Sequence, residues 1–430
     1  MERTYIVNVE AEKECLISGF VSKFRDTKSM QFIVLKDTTG VIQITIDKAT
    51  QPDIASALTG LLVESVITVK GVAHLSEYVK LGGIEFIPES VVIENRAEAL
   101  PITSESSIDQ RLDYRWIDLR NDDKTLTFKV QTLLNQSLRE YLLERNFMEI
   151  HSPKTISTPS ESGAGLFEVK YFDKKAYLAQ SPQFYKQMAM ASGFERVFEV
   201  GPVFRAEESY TSRHTTEFTG FDIEMSYITD HEDVMKVEEE MLTYAITKVK
   251  EKYGEEIKRV FGFDIIVPTL PFPRITMEEA YETLSKLGKN LTFGDDFDAE
   301  SEKLLTEYYK NQTGHEFLFV KDYPAEVRAF YHMRYNDRPN VTKSFDLYWK
   351  GIEITTGAQR EHRYEQLRNQ CIEKGLSVEN TQFYLDFFRY GCPPHGGLGI
   401  GLDRITMLML NIATIKDSMF IFRGPTRINP

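Results

Sequence analysis

The sequence predicts an α+β chain of two unequal parts, a small N-terminal β-barrel and a larger domain in which strands alternate with helices. Three observations predict it. At 430 residues the chain exceeds what one ordinary core organises, so two domains are expected. The first hundred or so residues carry short, β-rich apolar runs separated by turn residues. From residue 125 onwards a long amphipathic helical pattern opens a stretch where strand-like and helical runs take turns.

The N-terminal runs lie at residues 15–24, 30–35, 41–46, 65–72 and 84–93, with helical spacing at 54–62 between the third and fourth. Five short strands and one helix suggest a closed barrel of the OB type over residues 1–98, a fold whose open face often holds single-stranded nucleic acid. A generic small β-domain fits the pattern equally well. Residues 99–124 read as a hinge or connector, because Pro101 and the run Thr103-Ser104-Glu105-Ser106-Ser107 are polar and lack periodicity. Within 125–430, Phe128, Val130, Leu133, Leu134, Leu138 and Leu142 mark a helix over 125–146. Strands are expected at 176–179, 197–204, 221–227 and 344–355, and helices at 183–192, 231–252 and 361–374. Residues 250–340 carry no chemical motif and read as an insertion-like region packed on the sheet.

Composition narrows the class. Hydrophobic content of 42% and charged content of 27% are those of a soluble globular protein. No run approaches the roughly 18 apolar residues of a membrane span, and no apolar signal core follows Met1. Cys15, Cys371 and Cys392 are scattered and odd in number, which fits a reducing cytoplasm rather than a disulfide framework or zinc site. A net charge of -14 argues mildly against a nucleic-acid partner, but it averages the whole surface. Lys23, Arg25, Lys28 and Lys36, with Phe24 and Phe32 interleaved, form one local basic surface; ordinary solvated lysines account for it as well.

Three constellations could carry chemistry. In the first, Phe204-Arg205-Ala206-Glu207 is followed by Arg213-His214 and by Glu217-Phe218-Thr219-Gly220-Phe221-Asp222-Ile223-Glu224. This predicts a hairpin aimed at a ligand, with the planar fork of Arg205 suited to a phosphate. A surface salt bridge between Arg205 and Glu207 is the alternative. In the second, the glycines of Gly396-Gly397-Leu398-Gly399-Ile400-Gly401 precede Leu402-Asp403-Arg404. They let a backbone approach a flat ligand and open a helix on an arginine, although tight turns give the same pattern. In the third, Asp346 and Glu353 offer hard oxygens for magnesium on a strand running into Thr355-Thr356-Gly357-Ala358-Gln359-Arg360. Their odd separation puts them on opposite faces of a regular strand unless a bulge or twist intervenes.

Together these residues closely resemble the class II aminoacyl-tRNA synthetases, and among them the aspartyl enzymes of archaeal and eukaryotic type. Phe147-Met148-Glu149-Ile150-His151-Ser152-Pro153 is similar to the first class motif, Phe204 to Glu207 with the following strand to the second, and Gly399 to Arg404 to the third. The resemblance implies an antiparallel catalytic sheet with flanking helices, an anticodon-binding OB domain, a homodimer with Pro153 at its interface, and a cytoplasmic enzyme of protein biosynthesis. Gln180-Ser181-Pro182-Gln183-Phe184-Tyr185-Lys186-Gln187, Thr219-Gly220-Phe221-Asp222 and Gly357 to Arg363 are of aspartyl type. Departures are Thr356, where serine is usual, and Ala358, where glycine is usual.

What the resemblance implies about the site is specific. Glu161, Gln183, Lys186, Arg205, Asp222, Thr356 and Arg360 would bind L-aspartate, Lys186 and Arg360 meeting its side-chain carboxylate. An amide there would leave two buried cations poorly compensated. ATP would be held by Arg205, Ala206, Glu207, Arg213, His214, Thr215, Glu353, Gly401, Leu402, Asp403 and Arg404, with Arg205 and Arg404 the catalytic pair. Magnesium would sit on Asp346, Glu353 and Thr356. The implied partners are tRNA-Asp and tRNA-Asn, read by Ser22, Phe24, Arg25, Phe32 and Lys80, with an amidotransferase downstream if tRNA-Asn is charged. In relatives, a tryptophan on the first strand and a lysine in a later loop accompany strictness; Ser22 and Lys80 stand there, a mixed signal leaning towards relaxed choice. Asparagine–tRNA ligase and an asparagine-synthetase-like paralogue are the alternatives.

Overall fold

The structure is a computed structural model that describes residues 1–158 and 165–430. Among them the chain divides into two compact units, Met1–Tyr114 and Arg115–Pro430.

The first unit is built on β1 (Glu14–Asp26), β2 (Met30–Lys36), β3 (Val41–Asp47), β4 (Val66–Leu75) and β5 (Ile84–Asn95), closed into a barrel in the order β1-β2-β3-β5-β4. Alternation decides which side chains go inside. Ile17, Val21, Ile33, Leu35, Ile44, Ile46, Ile67, Val69 and Phe86 are fully buried, whereas Phe32 and Val34 stand between them on the outer face. The helix expected over 54–62 is shorter and starts earlier, α1 (Pro52–Ala57), because proline preorganises its first turn and Gly60 at φ +70° follows its end. The pairing of β1 with β2 shifts register between Val21 and Lys23, so Ser22 sits on a β-bulge with its hydroxyl donating to the Val34 carbonyl at 3.0 Å.

The segment expected as a connector is partly helical. It contains α2 (Ile108–Asp113) and α3 (Arg115–Asp118), and α4 (Asp122–Leu143) begins inside it. The polar run that argued for a loop ends in the helix cap: Ser107 and Gln110 form a reciprocal capping box.

The second unit centres on eight strands. They are β6 (Met148–Glu149), then, beyond a small three-stranded sheet of β7 (Thr155–Ile156), β8 (Glu168–Tyr171) and β9 (Lys174–Leu178), β10 (Arg196–Phe204), β11 (Glu217–Ser226), β12 (Arg274–Thr276), β13 (Phe317–Lys321), β14 (Ser344–Trp349), β15 (Ile352–Arg360) and β16 (His395–Gly401). The order is β12-β13-β14-β15-β16-β11-β10-β6, antiparallel except at the outer pairs β12/β13 and β10/β6. Helix α5 (Gln183–Ala191) packs on β10 and β11. Helix α6 (His231–Phe261), capped by Asp230 and ended by Gly262 at φ +81°, runs along α4 and against β15 and β16.

Three expectations are corrected here. Residues 250–340 are not an insertion: they complete α6 and then supply β12, α7 (Met277–Lys286), α8 (Ala299–Thr313) and β13, extending the sheet itself. Strands of 3 and 5 residues are too short to display a period. The single strand expected at 344–355 is the hairpin β14–β15, turned at Lys350 and Gly351, both with positive φ. The glycine run 396–401 is neither a turn nor a loop but β16, in the middle of the sheet. Helices α9 (Tyr364–Glu373), α10 (Val378–Arg389), α11 (Leu402–Met409) and α12 (Ile415–Ser418) complete the unit.

Candidate active site

Residues directly opposite on paired strands share a face. Register therefore lines up Glu199, Asp222, Gly399, Thr356 and Asp346 in one row across the sheet, and Val197, Glu224, Gly397, Ala358 and Ser344 in the next. Glycine at the centre of both rows is required by space. A Cβ on Gly397 would stand 2.1 Å from the Ile223 carbonyl oxygen and 2.2 Å from Glu224 Oε2, and one on Gly399 would stand 3.0 Å from Asp222 Oδ1. The glycines thus make room for the backbone and carboxylates of β11; Gly399 and Gly401 also border the cavity above them.

That cavity has a volume of about 620 Å³. Gln183, Asp222 and Arg360 line one end. Lys186 does not reach it. Its ammonium lies beneath Asp222, donating to Asp222 Oδ1 at 2.9 Å and to the Leu398 carbonyl at 3.1 Å, with Glu224 at 3.5 Å. Arg360 donates from Nε to Glu224 at 3.1 Å and from Nη2 to the Gly397 carbonyl at 3.0 Å; its Nη1 makes no hydrogen bond among the described residues. Burial raises the Asp222 carboxyl above the usual range despite Lys186. Burial would raise Glu224 too, but Arg360 and Lys186 hold it below. Two cations already face two carboxylates, so the expectation that a neutral substrate would leave both cations uncompensated is corrected. Glu161 lies outside the described residues.

Arginines dominate the other end. Arg205, Arg213, His214 and Arg404 border the cavity with Glu207, Thr215, Gly401 and Asp403; Ala206 and Leu402 do not. Arg205 and Glu207 form no ion pair with each other; the Arg205 guanidinium instead stands 5.5 Å from the centroid of the Phe218 ring, which also borders the cavity. Arg404 is anchored through Nη1 to the Glu353 carbonyl at 2.7 Å. Burial, then Arg404 and Arg213, lower the His214 pKa, so the imidazole is neutral among these cations. Asp403 is a brace: it accepts the Thr219 amide at 3.0 Å and the Gln131 amide at 3.1 Å, tying α11 to β11 and α4.

The acids of the hairpin are reunited by its turn and by a register shift between Leu347 and Tyr348, which brings Glu353 to the face of Thr356. Thr356 Oγ1 donates to Glu353 Oε1 at 3.2 Å, and both border the cavity. Burial and then Asp346 push the Glu353 carboxyl up to about 7. Asp346 itself stands one layer back, its Oδ2 held by Arg328 Nη2 at 2.6 Å and its Oδ1 buried without a partner among the described residues. No sequence pattern marked Arg328 or Glu302, the latter of which pairs with Arg213, and none gave Glu224 a role. Their partners lie 18, 89 and 136 residues away in the chain. Of the three, only Glu224 lies in the strand that follows Arg213-His214 in the first constellation.

On the barrel, Arg25 is paired opposite Phe32 and Phe32 opposite Thr45, so an exposed cation and a half-buried ring share the outer face. Phe24 packs against the barrel core instead. Lys80 is exposed between β4 and β5, beside Tyr78, which is 97% exposed.

A model of the class II tRNA synthetases of the D, K and N group matches residues 107–422, and one of the OB-fold nucleic acid binding domain matches residues 15–94. The aspartate–tRNA(Asp) ligase of Pyrococcus furiosus is 42% identical across the whole of both chains. The aspartate–tRNA(Asp/Asn) ligase of Aeropyrum pernix is 41% identical over 99% of each. Among solved structures, asparaginyl-tRNA synthetase from Pyrococcus horikoshii with asparaginyl-adenylate superposes with a TM-score of 0.93 at 32% identity, covering all of both chains. The chain belongs to the class II aminoacyl-tRNA synthetases, in the family of the aspartate–tRNA ligases.

Proposed function

We propose that the chain activates L-aspartate with ATP and passes the aspartyl group to the 3′ end of tRNA. One observation carries this: a single cavity joins an end built of Gln183, Asp222 and Arg360 to an end built of Arg205, Arg213 and Arg404. Asp222 suits the substrate ammonium group, and the free nitrogen of Arg360 suits its side-chain carboxylate. Lys186, one layer below, holds Asp222 in place.

In the first step an oxygen of the substrate α-carboxylate attacks the α-phosphorus and the bond to pyrophosphate breaks, leaving aspartyl-adenylate. In the second, a terminal ribose hydroxyl attacks the acyl carbon and AMP leaves. Neither step needs a protein nucleophile; positioning and charge stabilisation are the chain's contribution. Arg205 holds the α-phosphate where negative charge builds, Phe218 offers the base a flat face, and Arg213 and Arg404 receive the outer phosphates. His214, kept neutral, hydrogen-bonds there without adding to the charge.

The residues present fit a magnesium ion. Glu353 and Thr356 offer adjacent oxygens at the cavity wall, the Asp346 oxygen behind them is unpartnered among the described residues, and few protein ligands are what magnesium on a phosphate chain requires. Glu353 and Thr356 would hold it, with Asp346 in support, and when bound it supplies charge compensation for the triphosphate.

The expected result of Arg205→Ala is loss of aspartate-dependent ATP–pyrophosphate exchange in a protein that keeps its circular dichroism spectrum. Near-normal exchange would remove Arg205 from the mechanism, and exchange supported by asparagine instead of aspartate would reassign the substrate. We also infer a homodimer using the segment at Pro153, exposed with Met148, and a choice of tRNA relaxed enough to include tRNA-Asn. Ser22 carries no stacking surface at the barrel position where strictness is set, and an amidotransferase would then act on the misacylated product.

A further inference from the structure

We propose that Glu302 is a positioning residue for ATP, acting through Arg213; this rests on the reading that Arg213 meets the triphosphate. Arg213 lies in the loop between β10 and β11, where its guanidinium borders the cavity. Its charged partner is Glu302, whose side chain is 7% exposed and does not border the cavity. Glu302 is mounted firmly. It stands in the first turn of α8, where the helix N-terminus favours a carboxylate, and Asp298 caps that turn by accepting the Ser301 amide at 2.8 Å. Helix α8 packs on the β14–β15 hairpin, with Gly351 giving close approach: a Cβ there would stand 3.4 Å from Thr306 Oγ1. The hairpin carries Glu353 and Thr356. One ion pair thus fixes the loop's arginine to the same frame that holds the cavity's acids.

The consequence is preorganisation. A long, flexible arginine on a loop would otherwise have to be ordered when ATP binds, and holding it beforehand removes that cost from binding. Burial raises the Glu302 pKa and Arg213 opposes the rise, as a pair buried together requires.

The test is steady-state ATP–pyrophosphate exchange by Glu302→Ala, Arg213→Ala and the double variant, with KM measured separately for ATP and aspartate. Glu302→Ala is expected to raise KM for ATP about tenfold with KM for aspartate held within about twofold, and the double variant to match Arg213→Ala alone. Glu302→Gln, nearly the same shape, is expected to fall between parent and alanine and keeps the test open if Glu302→Ala does not fold. If Arg213→Ala raises KM for ATP and both Glu302 variants leave it unchanged, the positioning role is overturned while the site reading stands. Equal rises in KM for both substrates, or effects that multiply in the double variant, also overturn it. An unchanged KM for ATP in Arg213→Ala overturns the site reading and the proposal together.

Discussion

Glu238, on α6 against β15, is fully buried, and burial pushes its carboxyl up to about 8 against the opposing pull of Thr355. An acid raised in the folded state still holds a proton that the unfolded chain has released. Folding stability therefore falls as pH rises from about 4.5 towards about 8, and that stabilisation is absent above it. Glu238→Gln removes the titration; at pH 9 it should be more stable than the parent, on the order of a few kcal/mol, and little changed near pH 4. Urea unfolding across that range reads it directly, and parallel pH profiles for parent and variant would sink the assignment. At this scale the sequence marked residues whose neighbours in the chain form a motif, such as Arg205, Asp222 and Arg404. It could not mark Arg328 or Glu302, since nothing local distinguishes a cavity cation or its buried counter-ion from an ordinary surface charge.

Among the elements, β16 teaches most. Glycine is scarce in strands because it loses the most backbone freedom and brings no side chain to pack, so a run of glycines argues against a strand. Here the demand comes from β11, whose Ile223 carbonyl and Asp222 and Glu224 side chains occupy the space a Cβ would need, a tertiary fact with no local trace. Gly397→Ala should destabilise the protein by about 1–3 kcal/mol through overpacking, whereas Gly254→Ala should stabilise by about 0.5–1 kcal/mol. Gly254 is helical within α6, and its added Cβ would meet only Lys250 Cγ at an ordinary 3.6 Å. Thermal unfolding separates the two; similar midpoints for both variants would refute the packing account. The elements legible beforehand were those with a period or an apolar run long enough to read, the barrel strands, β9 to β11, α4 to α6 and α9. Strands as short as β12 and β13 had none.

For the whole molecule, function is divided between two units that bear different evidence of their tasks. The unit Arg115–Pro430 holds the cavity, and Met1–Tyr114 holds the barrel with its exposed cations. A net charge of -14 pointed away from nucleic acid, yet Lys23, Arg25 and Lys28 are exposed together on the barrel. Purified tRNA-Asp and tRNA-Asn transcripts, charged side by side, should both accept aspartate, tRNA-Asn the more weakly. No charging of tRNA-Asn at high enzyme concentration would restrict the chain to tRNA-Asp. Substitution of Ser22 by tryptophan should lower tRNA-Asn charging and leave ATP–pyrophosphate exchange untouched, because the two units do separate chemistry.

The bulge at Ser22 has a consequence for how such an enzyme changes over generations. A residue outside the regular ladder, half-exposed and answering only to the Val34 carbonyl, is free of the packing demands that fix its neighbours Val21 and Phe24. A lineage can therefore try side chains of very different bulk there without endangering the fold. On the role proposed for Ser22, the choice of tRNA would be adjustable at one codon, whereas a Cβ on Gly396 or Gly397 would meet neighbouring atoms at 2.7 and 2.1 Å.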